Sequence, residues 1–405
     1  MKYFLTILLI CLTLPLFAQL EAGLIAYYSF NDCTPSDSSG VTGSGAFIGS
    51  PDCVCGVSGN AIELNGFDQE MLMLGRINNS FENGDFTISM YIKSTSAAGT
   101  QSLLNKRETC GVVNSLGIRL NPAANSISVE VSESNDLMAN VTGSLDFGSC
   151  WQHVVVVRSG AKTQLYINAV LVEETVSSTR ARVSLGNNAV MSVGGGACVS
   201  EAVDNRFSGL VDEIKIYERS FNQQQIDNLY LAPDRISTRD TTIFLGNSVN
   251  IRTTNSCATD FEWTPTDGLD DPASPNPVAS PSETTTYTAL FNDGICAAFD
   301  SVTISVINPD ELDCNLVFLP SAFTPNGDNV NDAYGISNPY AIDELISFEI
   351  FDRWGGRIFA TDDAFARWNG NFKGEPVNPG VLLYRVRFSC NGEEDTTVGS
   401  FSIIR

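Results

Sequence analysis

The chain has one histidine, His153. Any Ser-His-Asp triad or histidine-bearing zinc site would have to use it. It sits between Trp151 and the Val154–Val157 run, so a packed, hydrogen-bonded ring is the expected role. Carboxylates paired across a cleft would serve glycoside hydrolysis. The acids Glu63, Asp68 and Glu70 are interrupted by Asn65-Gly66, a hairpin-turn signal. Asp212, Glu213 and Glu218 come nearer to a pair but are wrongly spaced. Asp328, Asn331 and Asp332 follow Pro325-Asn-Gly327 and suggest a cation loop. Val330 stands where an EF-hand needs an acid or amide, so turn formation is the expected role. Tyr27, Tyr28, Tyr91 and Trp151 offer rings for sugar stacking, but such residues more often fill cores, and no sugar site is assigned to them.

The elements that position these residues read as strands. Phe86, Ile88, Met90 and Ile92 share one face, and Thr87, Ser89, Tyr91 and Lys93 the other. Leu165 and Ile167 alternate with Gln164, Tyr166 and Asn168. This period of two predicts sheets with one buried face, and many such strands predict a two-sheet sandwich. One short helix is expected near Ser220, with Ser220 and Gln223 as a capping box and Ile226, Leu229 and Tyr230 on one face.

Polar, proline-containing joins at Ala232-Pro-Asp-Arg235 and Asn308-Pro-Asp-Glu311 divide the chain into three expected modules, residues 20–232, 233–308 and 313–405. The fold class expected is all-β and multidomain. Met1 to Ala18 has the parts of a signal peptide: Lys2, an apolar run too short to span a bilayer, and Leu16-Phe-Ala18 before Gln19. Cys11 lies within it, after Ile10, which is too large to precede a lipidated cysteine. No later segment is long and apolar enough to span a membrane.

The formal net charge is −24. Loss of Lys2 with the signal peptide leaves 22 basic against 47 acidic residues, or −25. That field repels phosphate backbones and anionic lipid, so nucleic acid is not an expected partner. Ten cysteines remain beyond Cys11, an even count that in an exported chain favours disulfides over zinc. Six of them, Cys33, Cys53, Cys55, Cys110, Cys150 and Cys198, fall in the first module, where fifteen connectivities are open.

Several motifs carry family resemblances. Leu24-Ile-Ala-Tyr-Tyr-Ser-Phe30, Phe86-Thr-Ile-Ser89, Trp151-Gln-His-Val-Val155, Leu165-Tyr-Ile-Asn168 and Phe207-Ser-Gly-Leu-Val-Asp-Glu-Ile-Lys-Ile-Tyr217 together resemble a laminin G-like, concanavalin A-type jelly roll of bacterial surface proteins. That resemblance implies two packed antiparallel sheets with loops at the rim. Related jelly rolls often hold a calcium ion between an acid of the first loop and one of the last strand. Asp37 and Asp212 occupy such positions, although Asp37 could equally start a turn and Asp212 cap a strand. Glycanases of this class carry acids on alternate positions of one strand, and no such run is present, so enzymatic activity is not expected.

The second module is similar to immunoglobulin-like or PKD-like spacers. A Cys257–Cys296 bridge beside Trp263 would supply the core that so small a domain lacks. The third resembles the gliding-motility-associated C-terminal domain, the type B sorting signal of the type IX secretion system. Phe323-Thr-Pro-Asn-Gly-Asp-Asn-Val-Asn-Asp332, Ile350-Phe-Asp-Arg-Trp-Gly-Gly-Arg-Ile-Phe359 and Phe401-Ser-Ile-Ile-Arg405 carry the match. Position alone suggests a Cys314–Cys390 bridge there, and the alternation of Phe401 and Ile403 predicts a final strand. The resemblances imply export through the secretion machinery and display at the cell surface or release. They point to a jelly roll that binds a polysaccharide or another surface macromolecule. A secreted glycan-degrading enzyme and a purely structural adhesin are the alternatives.

Overall fold

Alternating apolar residues make the Phe86–Ser94 strand the centre of the fold. Phe86, Ile88, Met90 and Ile92 enter the main core, as their period predicts. Thr87, Ser89, Tyr91 and Lys93 are also buried, at no more than 3% exposure, so this strand has no solvent face. The computed structural model describes residues 21–82, 84–145, 150–308, 312–313, 317–326 and 331–404. The expected signal peptide, Cys11, Cys314 and Asp328 lie outside the described residues.

The chain divides into two compact units. One takes the chain to Asp240 and adds Val249–Ala279 and Thr286–Thr303; the other takes Thr241–Ser248, Ser280–Thr285 and Ile304 onward. The larger unit contains two sheets, as the alternation requires. The first runs Val170–Val176, Lys162–Ile167, Gln152–Ser159, Phe86–Ser94, Ser208–Tyr217, Asn60–Asn65, Asp52–Cys55, with Leu24–Tyr28 also paired to Ser208–Tyr217. The second runs Leu137–Met138, Ser126–Ser134, Ser115–Asn121, Gln101–Lys106, Met191–Val193, Glu70–Met73, Ala46–Ile48. The inner faces of both contribute to one core that includes Ile88, Val154, Val156 and Ile216 from the first and Leu104, Ile118, Val129 and Val193 from the second. This is the expected all-β sandwich.

Asn65-Gly66 turns the chain, with Gly66 at φ +75, but does not close a hairpin. Asn60–Asn65 belongs to one sheet and Glu70–Met73 to the other, so the turn crosses between layers. The short helix is Gln223–Asp227, and its capping box is Asn222 with Gln225 rather than Ser220 with Gln223. Asn222 is the stronger cap because its side chain accepts the Gln225 N–H while the Gln225 side chain accepts the Asn222 N–H. Phe221, Ile226 and Leu229 then cover Val155, Val157 and Tyr217 on the outer face of the first sheet.

Within the larger unit, residues 249–279 and 286–303 pair Asp260–Thr264 antiparallel with Thr288 to Asn292. Trp263, Tyr287 and Phe291 are buried there, and the Trp263 indole donates to the Ser274 carbonyl at 2.9 Å. The expected Cys257–Cys296 bridge does not form. Cys257 pairs with Cys55, and Cys296 with Cys150, at Cα separations of 5.7 and 5.3 Å. The reason is proximity: each of the two cysteines lies within bridging range of a jelly-roll cysteine. Cys33–Cys53 and Cys110–Cys198 complete the described bridges. The six jelly-roll cysteines therefore do not close among themselves. A buried ion pair, Lys93 to Asp293, adds to the two covalent links.

The smaller unit pairs Thr241–Phe244 in parallel with Ile304 to Ile307. Its main sheet runs Ala322–Phe323, Glu393–Ile403, Gly380–Cys390, Glu344–Phe351, Arg357–Thr361. Phe401 and Ile403 point into its core with Phe323, Tyr334, Phe348 and Trp368, so the predicted final strand is present. Asn331 is left-handed at φ +54, and Asp332 accepts the Asn326 N–H at 2.8 Å, which is the turn chemistry expected of that loop. Among the described residues, no helix is long and apolar enough to cross a membrane.

Candidate functional site

The acids singled out in the sequence are placed by the Ser208–Tyr217 strand and the loops beside it. The strand's register shifts between Asp212 and Lys215, and Glu213 sits at φ +50. Asp212 has no exposed surface, and its two oxygens accept from the N–H groups of Glu213 (2.8 Å) and Ser58 (3.2 Å). Burial pushes its carboxyl up to about 7 against the lowering pull of the Ser58 N–H. Gly56 makes the room, since a Cβ there would lie 2.5 Å from Asp212 Oδ2. Glu213 accepts from the Tyr27 hydroxyl at 2.7 Å and from Lys215 Nζ at 2.6 Å.

Asp37 is the organiser of its own loop. Its Oδ1 accepts the N–H groups of Tyr27 and Ser39, and its Oδ2 those of Val41, Thr42 and Gly43 and the Ser39 hydroxyl. Burial opposes its ionisation, but the donors from Tyr27, Ser39 and Thr42 outweigh burial and hold the carboxyl below its ordinary value. Among the described residues, neither Asp37 nor Asp212 belongs to a group of three or more potential ligands close enough to share an ion. The group that does meet that spacing, Cys150, Asp293 and Cys296, has its two sulfurs tied up in a disulfide. Glu70 accepts the Gly196 N–H and pairs with Arg206, and Glu218 pairs with Arg76.

His153 is fully buried, as its surroundings in the sequence predict. Its Nε2 lies 2.8 Å from the Ser89 hydroxyl, and its ring stacks on Tyr91 (4.4 Å between centroids) and Tyr230 (5.8 Å). Its Nδ1 has no hydrogen-bond partner, so the carboxylate that orients a triad imidazole is missing. Burial, with Lys215 second, pulls the ring down to about 3, which keeps it neutral at physiological pH. Tyr28 and Tyr91 are core residues at no more than 1% exposure.

A cavity of about 420 Å³ opens at the end of the first sheet. It is lined by Cys150, Trp151, Gln152, Asn168, Tyr230, Pro233, Asp234, Arg235, Ala297, Ala298 and Phe299. Gln152 and Asn168 are held as a unit. The Asn168 amide donates to Gln152 Oε1 at 3.3 Å and accepts the His153 N–H at 2.9 Å. Asn168 and Ala169 both have positive φ, which is the two-residue hairpin geometry that carries Lys162–Ile167 into Val170–Val176. Asp234 accepts from the Ser256 hydroxyl at 2.5 Å, and burial raises its carboxyl. Arg235 Nη1 donates to the Phe299 carbonyl at 3.3 Å. Rings, amides, one carboxylate and one guanidinium together can hold a polyhydroxylated ligand, with faces to stack on and both donors and acceptors to orient it.

Sequence reasoning named Trp151 without a site and missed Gln152, Asn168, Arg235 and Phe299. No local signal marks them, because the cavity joins segments far apart in the chain. It also missed a charged network on the second sheet, in which Arg107 and Arg119 share Glu130 and Arg119 also holds Asp204.

Residues 72–227 match the family described as the concanavalin A-like lectin/glucanases superfamily, and residues 317–403 match the CHU_C type IX secretion signal domain. The chain carries both domains, and the second directs export across the outer membrane to the cell surface or the medium. No curated protein matches the sequence. Among solved structures, the chain is similar to domain 4 of AbnA, a GH43 extracellular arabinanase from Geobacillus stearothermophilus in complex with arabinotriose, at 22% identity over 52% of this chain and 98% of that one (TM-score 0.40). It is also similar to the binding domain of botulinum neurotoxin serotype D/C, at 11% identity over 95% and 79% (TM-score 0.45). A third is the CBM40 of the Ruminococcus gnavus IT-sialidase bound to α2,3 sialyllactose, at 14% identity over 42% and 96% (TM-score 0.35).

Proposed function

We propose that this is a binding protein of the cell surface or medium, which takes up a glycan at the end of the jelly roll and is attached through its C-terminal domain. The observation that carries the reading is the cavity in which the half-buried Tyr230 ring stands beside the fixed amides of Gln152 and Asn168, with Trp151, 6% exposed, packed in the core cluster beneath it. Sugar recognition needs that combination: a ring face for the apolar side of the pyranose or furanose, and donors and acceptors for its hydroxyls. The same lining supports binding over hydrolysis, since a glycosidase needs two carboxyl groups about 5–9.5 Å apart across the sugar and Asp234 is the one carboxylate in this wall. Calcium is not needed by this reading, because the amides and the guanidinium do the orienting.

The test is a glycan array probed with the oxidised full chain and with Gln152→Ala. Binding by the parent and a several-fold loss in the variant is the expected result. Release of reducing ends from a polysaccharide by the same preparation would favour the hydrolytic alternative, and no binding to any glycan would favour a structural adhesin.

A further inference from the structure

We infer that the segment after the jelly roll is half of the binding site rather than a spacer, and that the site it completes takes an uncharged sugar. The inference rests on the glycan reading above and adds where the second wall comes from. Three observations converge on it. Phe299 lines the cavity while being 61% exposed, so its ring is open to a ligand entering there, as a stacking platform requires. Arg235 lines the same wall and is positioned by the Phe299 carbonyl, with Asp300 at 3.7 Å as its ion-pair partner. Asp300 also accepts the Ile236 N–H at 2.8 Å, which ties the Arg235 segment to the Phe299 segment.

The two walls are fixed to each other. Cys150 lines the cavity immediately before Trp151, and its disulfide partner Cys296 immediately precedes Ala297 of the other wall. The buried Lys93–Asp293 pair holds the turn that leads into Cys296, where Asp293 Oδ1 also accepts the Ile295 and Cys296 N–H groups at 3.0 Å. A wall held in this way is preorganised, so a ligand binding between Phe299 and the Gln152–Asn168 amides orders little protein. Arg235 is already paired with Asp300 and stands next to Asp234, so the wall offers no surplus positive charge, and the chain as a whole carries −24. That field works against uronates and other acidic sugars and leaves neutral ones unaffected.

Binding of the full oxidised chain is measured on an array that holds neutral oligosaccharides beside uronate-bearing ones. The same array is probed with Phe299→Ala and with the Cys150→Ser/Cys296→Ser pair. Phe299 is exposed, so its alanine variant should keep the parent melting temperature and still bind neutral sugar about tenfold more weakly. The disulfide variant should lose binding in the same direction. If that variant fails to fold, Phe299→Ala alone decides. Undiminished binding by Phe299→Ala, with loss in Gln152→Ala, would overturn the two-walled site and leave the jelly-roll reading standing. Preference for uronates would overturn the assignment to neutral sugars. A parent chain that binds no glycan would remove the glycan reading and this inference with it.

Discussion

Removing the Cys55–Cys257 bridge tests whether residues 249–279 and 286–303 belong to the jelly-roll unit. The perturbation is the double substitution Cys55→Ser/Cys257→Ser, which leaves Cys150–Cys296 in place. The bridge spans 202 residues of sequence, but the second bridge provides a shortcut. The shortest remaining covalent path runs from 55 to 150, across to 296 and back to 257, roughly 135 residues. Loop-closure entropy depends on the logarithm of that length, so the shortcut hardly matters, and the chain-entropy value is about 5 kcal/mol. Native bridges commonly deliver about 2–4 kcal/mol of it. With a urea dependence near the upper end of about 1–3 kcal/mol per molar, the unfolding midpoint should fall by about 1 M. The assay is equilibrium urea unfolding of the oxidised chain, followed by tryptophan fluorescence. An unchanged midpoint would show that the bridge ties together segments that are already independent, and would refute the single-unit account.

Asp212 makes the larger unit sensitive to pH. Its folded-state value is raised to about 7 from an ordinary 3.8, so its contribution is fully present below the ordinary value and is lost as pH rises through 7. The loss is about 4 kcal/mol, seen as a melting temperature that falls between about pH 4 and 7, levels off above that, and is flatter in Asp212→Asn. Arg158 is 1% exposed and donates to the carbonyls of Phe81, Gly84 and Val183. Arg158→Leu strands those acceptors and should cost about 3 kcal/mol in urea unfolding. Asp37→Ala should cost about 2 kcal/mol by releasing its loop donors, and by the same amount in calcium as in EDTA. A calcium-dependent melting shift lost in Asp37→Ala would instead assign an ion to that rim. Truncation before Asp313 should leave the protein in the periplasm by fractionation, and its normal appearance outside the cell would contradict the export role of the tail.

Much of the fold is legible in the sequence because burial writes itself as a period. Phe86, Ile88, Met90 and Ile92 announce a core strand, and Phe401 and Ile403 a final one. The opposite face of the first strand is not legible in that way. Tyr91 and Lys93 are polar enough to read as solvent-facing, yet Tyr91 donates to the Leu229 carbonyl and accepts the Leu231 N–H, and Lys93 pairs with Asp293. What covers them comes from more than a hundred residues away, and periodicity carries no information about it. The helix near Phe221 was visible from its apolar face, but two residues compete for its cap, and Asn222 wins over Ser220 because Gln225 can answer it. Disulfide pairing was the least legible feature. Spacing cannot rank Cys257 with Cys296 above Cys257 with Cys55, because the choice depends on which Cα atoms meet. The cavity inherits that difficulty, since the Cys150–Cys296 bridge, equally unreadable from spacing, joins Cys150 of its lining to the residue before Ala297.

The central claim is that the exported chain holds a sugar between the jelly roll and the segment stapled to it. Isothermal titration of the oxidised full chain with the strongest neutral oligosaccharide found on the array, repeated with Phe299→Ala, measures it most directly. The account predicts saturable one-to-one binding in the parent and about tenfold weaker binding in the variant. No heat of binding in the parent, or the same affinity in both proteins, would contradict it.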